Sequence, residues 1–479
     1  MINPSHGSPS SSTQRRWVIA IVLFALILRL AGAGYWQVQS LRGGDLLRFG
    51  DSHSYWTMAS NLAHHGTFQY GSSDSKVFRA PLYPLVLAPW TLIRSEGPTL
   101  VGVMAVRCTG CLLGAWAVWL IIQCGNLLAG ARAGMIAGIL SAVYPGAIGM
   151  SIFVLSEAIA TPLMVVSLYC TLRSIHALER RRMAAEDATN NDSLPLSSNR
   201  VRGFGTGWGW QLMATLAGIG FGLTCLARPS WSLWPAILFV YVALAGRGFP
   251  RIPAWICWQW MLLFSVGLMG AMSPWWIRNF AITGKFVPTT LQVGASLYDG
   301  WHPGATGSSD ENMDFVLGFL VDQKREDELL AKQGIPLEST FEWRADRRMR
   351  SAAIAWALEN PSDVMRLGLL KLRKTWAPLP VAREVGQPWI RWSEGLGYGF
   401  LVLFAGYGAW LGRRERGLWL MLIPCLYIAI LHAMFIGSVR YRQPGVLMLC
   451  PVAGLGCASI IEWIQRRIDG TRFRNIERT

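Results

Sequence analysis

Charge is scarce in this chain, and acid is scarcer than base. Of 479 residues only 15% are Asp, Glu, Lys or Arg, with 28 acids against 44 bases. Soluble domains carry about 25% charged residues, so a water-soluble enzyme is excluded, as is a disordered chain. Nucleotide motifs are missing as well. There is no P-loop, and the Gly203–Gly209 run does not complete a G-x-G-x-x-G. No internal repeat is visible, which weakens an inverted-repeat transporter. Cysteine is absent from the long polar loops. The nine, at 108, 111, 124, 170, 225, 257, 425, 450 and 457, lie in or beside apolar runs. That placement suits packing residues and excludes a secreted disulfide scaffold. Cys108 and Cys111 form a C-x-x-C on a predicted membrane helix, where packing is again the expected role.

What is present points to the bilayer. Hydrophobic residues make up 52%, with 24 Trp and 50 Gly, and mean hydropathy is +0.32. Trp and Gly are both frequent in membrane helices and at their interfaces. A span needs about 20 mostly apolar residues. Ten candidates follow, at 17–34, 99–123, 132–150, 154–174, 208–226, 231–245, 253–272, 393–411, 417–436 and 444–463. The expected fold is therefore an all-α polytopic membrane protein. The 17–34 run follows Arg15-Arg16 and imitates a signal peptide, but it reads as a retained first helix. Its Arg29 either snorkels to the surface or faces a polar interior.

Net charge is +16. In a soluble protein that suggests nucleic acid; here topology accounts for it, and no nucleic-acid partner is expected. With the N-terminus inside, the inner segments hold Arg15, Arg16, Arg132, the Arg173–Arg202 cluster, Arg247, Arg251, Arg413, Arg414, Arg416 and the basic tail from Arg466. Short outer loops hold only Arg228, Arg440 and Arg442. This positive-inside pattern predicts a plasma (inner) membrane protein with both termini cytosolic. Three regions result: a transmembrane module at 1–272 with a long outer loop at 35–98, an outer segment at 273–392, and C-terminal helices at 393–479. Residues 80–93 are apolar but short and hold three prolines, so they read as interfacial or re-entrant. Residues 178–207 read as a polar linker, with a sequon at Asn191-Asp192-Ser193 that has no meaning on the cytosolic side. Residues 341–376 read as helical, ending in a basic surface helix that Pro361 starts.

Five outer sites carry ionisable groups. The first loop has Phe49-Gly-Asp-Ser-His-Ser-Tyr55, offering Asp51, His53 and Tyr55, then Lys76-Val-Phe-Arg79 before Ala-Pro-Leu-Tyr-Pro84. A carboxylate deprotonates a hydroxyl, and a guanidinium clamps phosphate oxygens. A solvated loop accounts for the same residues. Glu157, in Leu155-Ser-Glu-Ala158, is an acid at a helix start, where capping is the plain alternative. Arg228 and Arg278 lie at outer helix ends, where headgroup contact is the alternative. Arg440 and Arg442 share a short outer loop, against the positive-inside trend, which points to a use such as anion binding. A shared outer pocket for an anionic lipid is the economical reading.

These segments, taken in order, resemble the GT-C superfamily of polyprenyl-phosphate-sugar glycosyltransferases. The likeness is greatest to bacterial relatives of protein O-mannosyltransferases and lipid A aminoarabinose transferases. It runs from Arg29 to Pro444 and rests on Gly50-Asp-Ser-x-x-Tyr55, Asn61-Leu-Ala-x-x-Gly66, Arg79-Ala-Pro-Leu-Tyr-Pro84, Ser156-Glu157, Pro274-Trp-x-x-Arg-Asn279, Gly284-x-x-Val-Pro288 and Arg440-Tyr-Arg-x-Pro444. The resemblance implies an inverting transfer outside the membrane, from a polyprenyl-phosphate-linked sugar to a hydroxyl or amine on a protein, lipid or glycan. It implies Asp51 as base, Glu157 as the second acid, and Arg79 beside the donor phosphate, with His53, Tyr55, Lys76, Arg228, Arg278, Arg440 and Arg442 as substrate-binding candidates. The family often has two adjacent acids in the first loop; here Gly50 and Ser52 flank Asp51, and His53 is the candidate to orient the acceptor. With Asp51 and Glu157 isolated, no metal and no cofactor is expected. A lipid or polysaccharide transporter, or a non-catalytic subunit that binds lipid-linked sugar, is the alternative.

Overall fold

The computed structural model describes residues 11–72, 74–93, 97–190, 209–247, 253–310, 313–380 and 387–476. The sequon at 191–193 and most of the glycine run at 203–209 lie outside them. Among the described residues there are seventeen α-helices and no strand. In order they are α1 (Ser11–Arg42), α2 (Gly50–His65), α3 (Leu82–Thr91), α4 (Leu100–Val143), α5 (Pro145–Ile152), α6 (Glu157–Asn190), α7 (Gly209–Ala227), α8 (Trp234–Arg247), α9 (Ala254–Thr283), α10 (Val293–Gly300), α11 (Phe315–Lys332), α12 (Phe341–Glu359), α13 (Pro361–Thr375), α14 (Pro388–Leu411), α15 (Arg416–Met434), α16 (Val439–Met448) and α17 (Cys450–Ile476).

Among the described residues six helices are long and apolar enough to cross a membrane: Ser12–Arg42, Leu100–Val143, Glu157–Arg181, Gly209–Ala227, Ala254–Thr283 and Arg416–Met434. A broken pair, Val439–Met448 with Cys450–Ile468, bends by 53° and makes a seventh candidate. The protein is an integral membrane protein. Trp17, Leu23, Phe24 and Ile27 on α1, and Trp258, Leu262 and Val266 on α9, are exposed. In water such surface costs about 25 cal/mol per Å²; against lipid it costs nothing.

The count is lower than the ten expected, for three physical reasons. First, α4 is a helical hairpin. Gly130 has φ +84 and Ala129 is also non-helical, and only glycine adopts that φ without strain. The limbs fold back, so that Gly125 lies against Gly134 and Ile122 against Gly138. The two spans expected at 99–123 and 132–150 correspond to the two limbs of this hairpin, which the count of six takes together as one helix. Second, α8 has only 14 residues. Third, α14 carries Arg391, Glu394 and several glycines, which dilute its apolar character.

Other boundaries moved too. The first helix continues to Arg42, and α9 continues through Pro274 to Thr283. The Pro274–Asn279 motif is therefore the last turns of a helix. The polar stretch expected as a linker from 178 is helical as far as Asn190. The 80–93 stretch contains α3, ten residues long and too short to span, packed on α2 with Tyr83 and Leu87 buried. Arg29 faces the interior and is 1% exposed. It donates to the carbonyls of Ala25, Ser141 and Ala142 and to Ser151 Oγ, so a charge inside the bundle is fully solvated by protein.

The largest core joins α4, α6, α7, α9, α15 and the α16–α17 pair. A second core beneath α2 and α3 holds Tyr55, Trp56, Tyr83, Val154 and Ala227. This second core sets the floor on which the ionisable groups meet.

Candidate active site

Asp51 lies in the first turn of α2, and Glu157 in the first turn of α6. Acids are favoured there by the helix dipole. A single bond sets the two starts side by side: the buried Ser52 donates its hydroxyl to the carbonyl of Val154, at 2.7 Å. Arg440 enters from the start of α16, where Ser438 caps the helix. Arg228 follows α7, at a 3-10 turn whose Pro229 cannot continue the helix. Arg79 comes from the irregular segment before α3.

These five side chains form one ion-pair chain. Asp51 accepts from Arg79 through Oδ1, at 2.8 Å, and from Arg440 through Oδ2, at 2.9 Å. Arg440 turns its other edge to Glu157, with Nε at 2.5 Å from Oε1 and its terminal nitrogen at 3.1 Å from Oε2. Arg228 reaches Glu157 Oε1 at 3.0 Å and Ser156 Oγ at 3.3 Å. Arg79 also donates to Gln292 Oε1, at 3.0 Å. Glu157 is 1% exposed, whereas Asp51 is 29% and Arg440 24% exposed. The chain therefore has a sealed end and an open end, and Asp51 is at the open one.

The aromatic groups are arranged around the cations. Arg79 lies over Tyr55 at 5.1 Å and Phe78 at 5.0 Å. Tyr441 faces both Arg228, at 5.2 Å, and Arg440, at 5.6 Å, and stacks on His432. Two buried polar atoms here have no partner, Nε of Arg79 and the hydroxyl of Tyr83. The five ionised groups sum to three positive and two negative charges. Burial pushes the Asp51 carboxyl upward, but Arg79 and Arg440 outweigh it and hold the group below the ordinary carboxylate range.

The remaining sequence candidates lie apart from this chain. His53 is exposed and pairs with Asp45, at 3.0 Å. Lys76 is exposed, and its backbone is what is held in place. Arg278 stacks on Trp275 and Phe68 and donates to the carbonyls of Lys76 and Phe68, so it anchors the loop before Arg79. Arg442 is fully buried over the Tyr398 ring, beside Glu394, and donates to the carbonyl of Ala377. It shares a short segment with Arg440 but points into a different part of the bundle. Tyr55 belongs to the site as the ring under Arg79. Sequence reading missed Gln292, Tyr83 and Tyr441. Tyr441 had a signal, since it lies between two arginines in a short loop. Gln292 had none, being one amide in a long polar segment.

The donor set bears on metal binding. A divalent ion held by both carboxylates would need the space between them, and Arg440 fills it, bonded to both. Among the described residues no group of three or more His, Cys, Asp or Glu side chains is placed to hold a metal.

The fold has solved counterparts. The apo oligosaccharyltransferase of Archaeoglobus fulgidus superposes with TM-score 0.55 at 15% identity, over 96% of this chain and 52% of that one. The same archaeal enzyme, AglB, in complex with an inhibitory peptide and a dolichol-phosphate, gives 0.53 at 12% identity, over 95% and 52%. ArnT from Cupriavidus metallidurans bound to undecaprenyl phosphate reaches only 0.38 at 13% identity, over 93% and 77%, and carries no argument. No family model matches the chain, and no curated protein matches it by sequence. The chain spans about half the length of the oligosaccharyltransferase chains. At these identities the likeness establishes the fold alone, a polytopic helical fold that this chain shares with about half of the oligosaccharyltransferase chain.

Proposed function

We propose that the chain is a membrane glycosyltransferase that moves a sugar from a polyprenyl-phosphate donor to an acceptor hydroxyl or amine, with inversion. The observation that carries this is the seat of Asp51 between Arg79 and Arg440. Two guanidiniums converge on one oxyanion at a partly open position, and a phosphate oxygen has the same needs. The GT-C fold supports the reading, as does AglB, which was solved with a dolichol-phosphate. The five-residue cluster holds one excess positive charge, which matches the single negative charge of a sugar phosphodiester.

In this reading the donor phosphate takes the donors of Arg79 and Arg440 that Asp51 otherwise accepts. The freed carboxylate loses the partners that depress its pKa, so its basicity returns when the donor is in place. The acceptor oxygen or nitrogen then forms a bond to the anomeric carbon. The bond from that carbon to the phosphate oxygen breaks, and its electron pair leaves with the phosphate. The acceptor proton passes to Asp51. One displacement inverts the centre. Arg79 and Arg440 stabilise the charge growing on the leaving phosphate. Glu157, sealed behind Arg440 and Arg228, fixes where the cations point. No divalent ion is required, because Arg440 already supplies the positive charge between the acids.

The orientation follows from the arginine distribution: termini inside, and the site at the outer face of the plasma membrane. A second reading has one observation in its favour. Both carboxylates are wholly engaged by arginines, which also suits a subunit that binds lipid-linked sugar without turnover. Reconstituted protein with radiolabelled polyprenyl-phosphate sugars separates the two. Transfer by the wild type, reduced about 10²–10⁴-fold in Asp51→Asn as for a lost general base, supports the enzyme. Donor binding without transfer, unchanged in Asp51→Asn, supports the binding subunit.

A further inference from the structure

Arg79 is held by elements outside the ion-pair chain, and these meet on one helix. Thr340 caps α12, its hydroxyl accepting from the N–H of Trp343. In the first turn, Glu342 Oε2 accepts from the N–H groups of Lys76 and Val77, each at 3.0 Å, and Oε1 from the Ser75 hydroxyl at 3.4 Å. One turn later, Asp346 Oδ1 accepts from the N–H of Gly294 at 2.6 Å. Residues four apart lie on the same helix face, so both carboxylates point the same way. The approach at Gly294 is close enough to require glycine, since a Cβ there would lie 2.1 Å from the Asp346 carbonyl. Ala295, Ala345 and Met349 pack around this contact.

The two held segments carry the two partners of one bond. Val77 is two residues before Arg79, and Gln292 is two residues before Gly294. The segments are stitched together where Leu291 N–H donates to the Val77 carbonyl at 2.9 Å. The Arg79 to Gln292 bond closes the loop at 3.0 Å. We propose that α12 is the positioning element for the phosphate seat: Glu342 and Asp346 act as two clips that fix the backbones bearing Arg79 and Gln292, and so aim the Arg79 guanidinium at Asp51. Neither acid touches the seat. They are positioning residues, and they tie the outer segment to the site. This rests on the proposed donor-phosphate seat only for what the aimed guanidinium binds; the mechanical link stands by itself.

The test is a pair of double-mutant cycles on the full-length protein in nanodiscs. Glu342→Ala, Arg79→Ala and the double variant are compared for thermal stability without ligand and for affinity toward a polyprenyl monophosphate. Glu342→Gln, which keeps an acceptor oxygen, and Asp346→Asn serve as milder variants should the alanine form fail to fold. The expected result is coupling in both cycles. Glu342→Ala weakens binding about tenfold with Arg79 present and has little effect once Arg79 is alanine, while Glu342→Gln recovers part of the loss. Distant, unlinked sites combine to within about twofold in the equilibrium constant. Additivity of that kind in the unliganded cycle overturns the proposal, whatever the protein binds. Coupling without ligand, in a wild type that binds no polyprenyl phosphate, leaves the clips standing and removes the proposed function instead.

Discussion

Arg440 is the residue on which the site turns. It donates to Asp51 with one edge and to Glu157 with the other. Glu157 is almost completely buried, and a buried charge that loses its partner costs about 3–5 kcal/mol. Glu157→Gln removes the negative charge and one of the two acceptor oxygens that Arg440 and Arg228 share. A lower melting temperature is therefore expected, and with it a fall in transfer per folded molecule, because the cations are no longer held in place. A variant with normal turnover per folded molecule and reduced stability alone returns Glu157 to a capping role. Chelators test Arg440 from another side. With a guanidinium between the acids, EDTA treatment is expected to leave activity unchanged, and restoration of lost activity by added Mg²⁺ or Mn²⁺ contradicts that.

The members of the ion-pair chain were visible one by one in the sequence. Asp51, Arg79, Glu157, Arg228 and Arg440 stand out because each is an ion beside an apolar helix end, where charge is expensive and needs a reason. Their pairing was not visible. Asp51 and Arg440 are 389 positions apart, and no local pattern encodes which acid meets which base. The same chemical logic selected Arg278 and Arg442, which the fold uses to anchor a loop and to fill a buried network. Sequence marks an ion as costly; only packing decides where it points.

At the scale of elements, α12 couples the outer segment to the seat, and its first turn has its own pH signature. Burial pushes the Glu342 carboxyl up to about 7 from 4.5, while the Val77, Lys76 and Ser75 donors pull it down and Asp346 pushes it up. Arg278 of α9 lies near enough to Glu342 for the two charges to interact. A folded pKa above the unfolded one means the fold favours the protonated form. This contribution to stability is complete below pH 4.5 and is lost as pH rises through about 7. The melting temperature of the wild type should thus fall relative to Glu342→Gln between those limits and run parallel above them. A constant gap across the range contradicts the shift. The α4 hairpin makes a separate prediction. Gly130→Ala puts a Cβ at φ +84, ψ 175, a region open essentially to glycine alone, which costs about 1–3 kcal/mol, so stability should drop by about that much. The hairpin also accounts for part of the lower helix count: its two limbs correspond to the spans expected at 99–123 and 132–150, joined through one glycine into a single element.

For the whole molecule, the two cores divide the labour. The large bundle core holds the spans together, and the smaller one under α2 and α3 carries Asp51, Tyr55 and the turn before Glu157 on a rigid floor. The ion-pair chain lies on that floor, with α12 reaching it from outside. In the proposed function Asp51 occupies the seat of the donor phosphate, and donor binding releases it as the base. The most direct measurement is thermal shift of the purified protein against a panel of polyprenyl-phosphate sugars, wild type beside Arg79→Ala. Stabilisation of the wild type by one donor, lost in the variant, is the predicted result and names the sugar class. Folded wild type that responds to no donor, or a variant that responds as strongly as wild type, contradicts the phosphate seat.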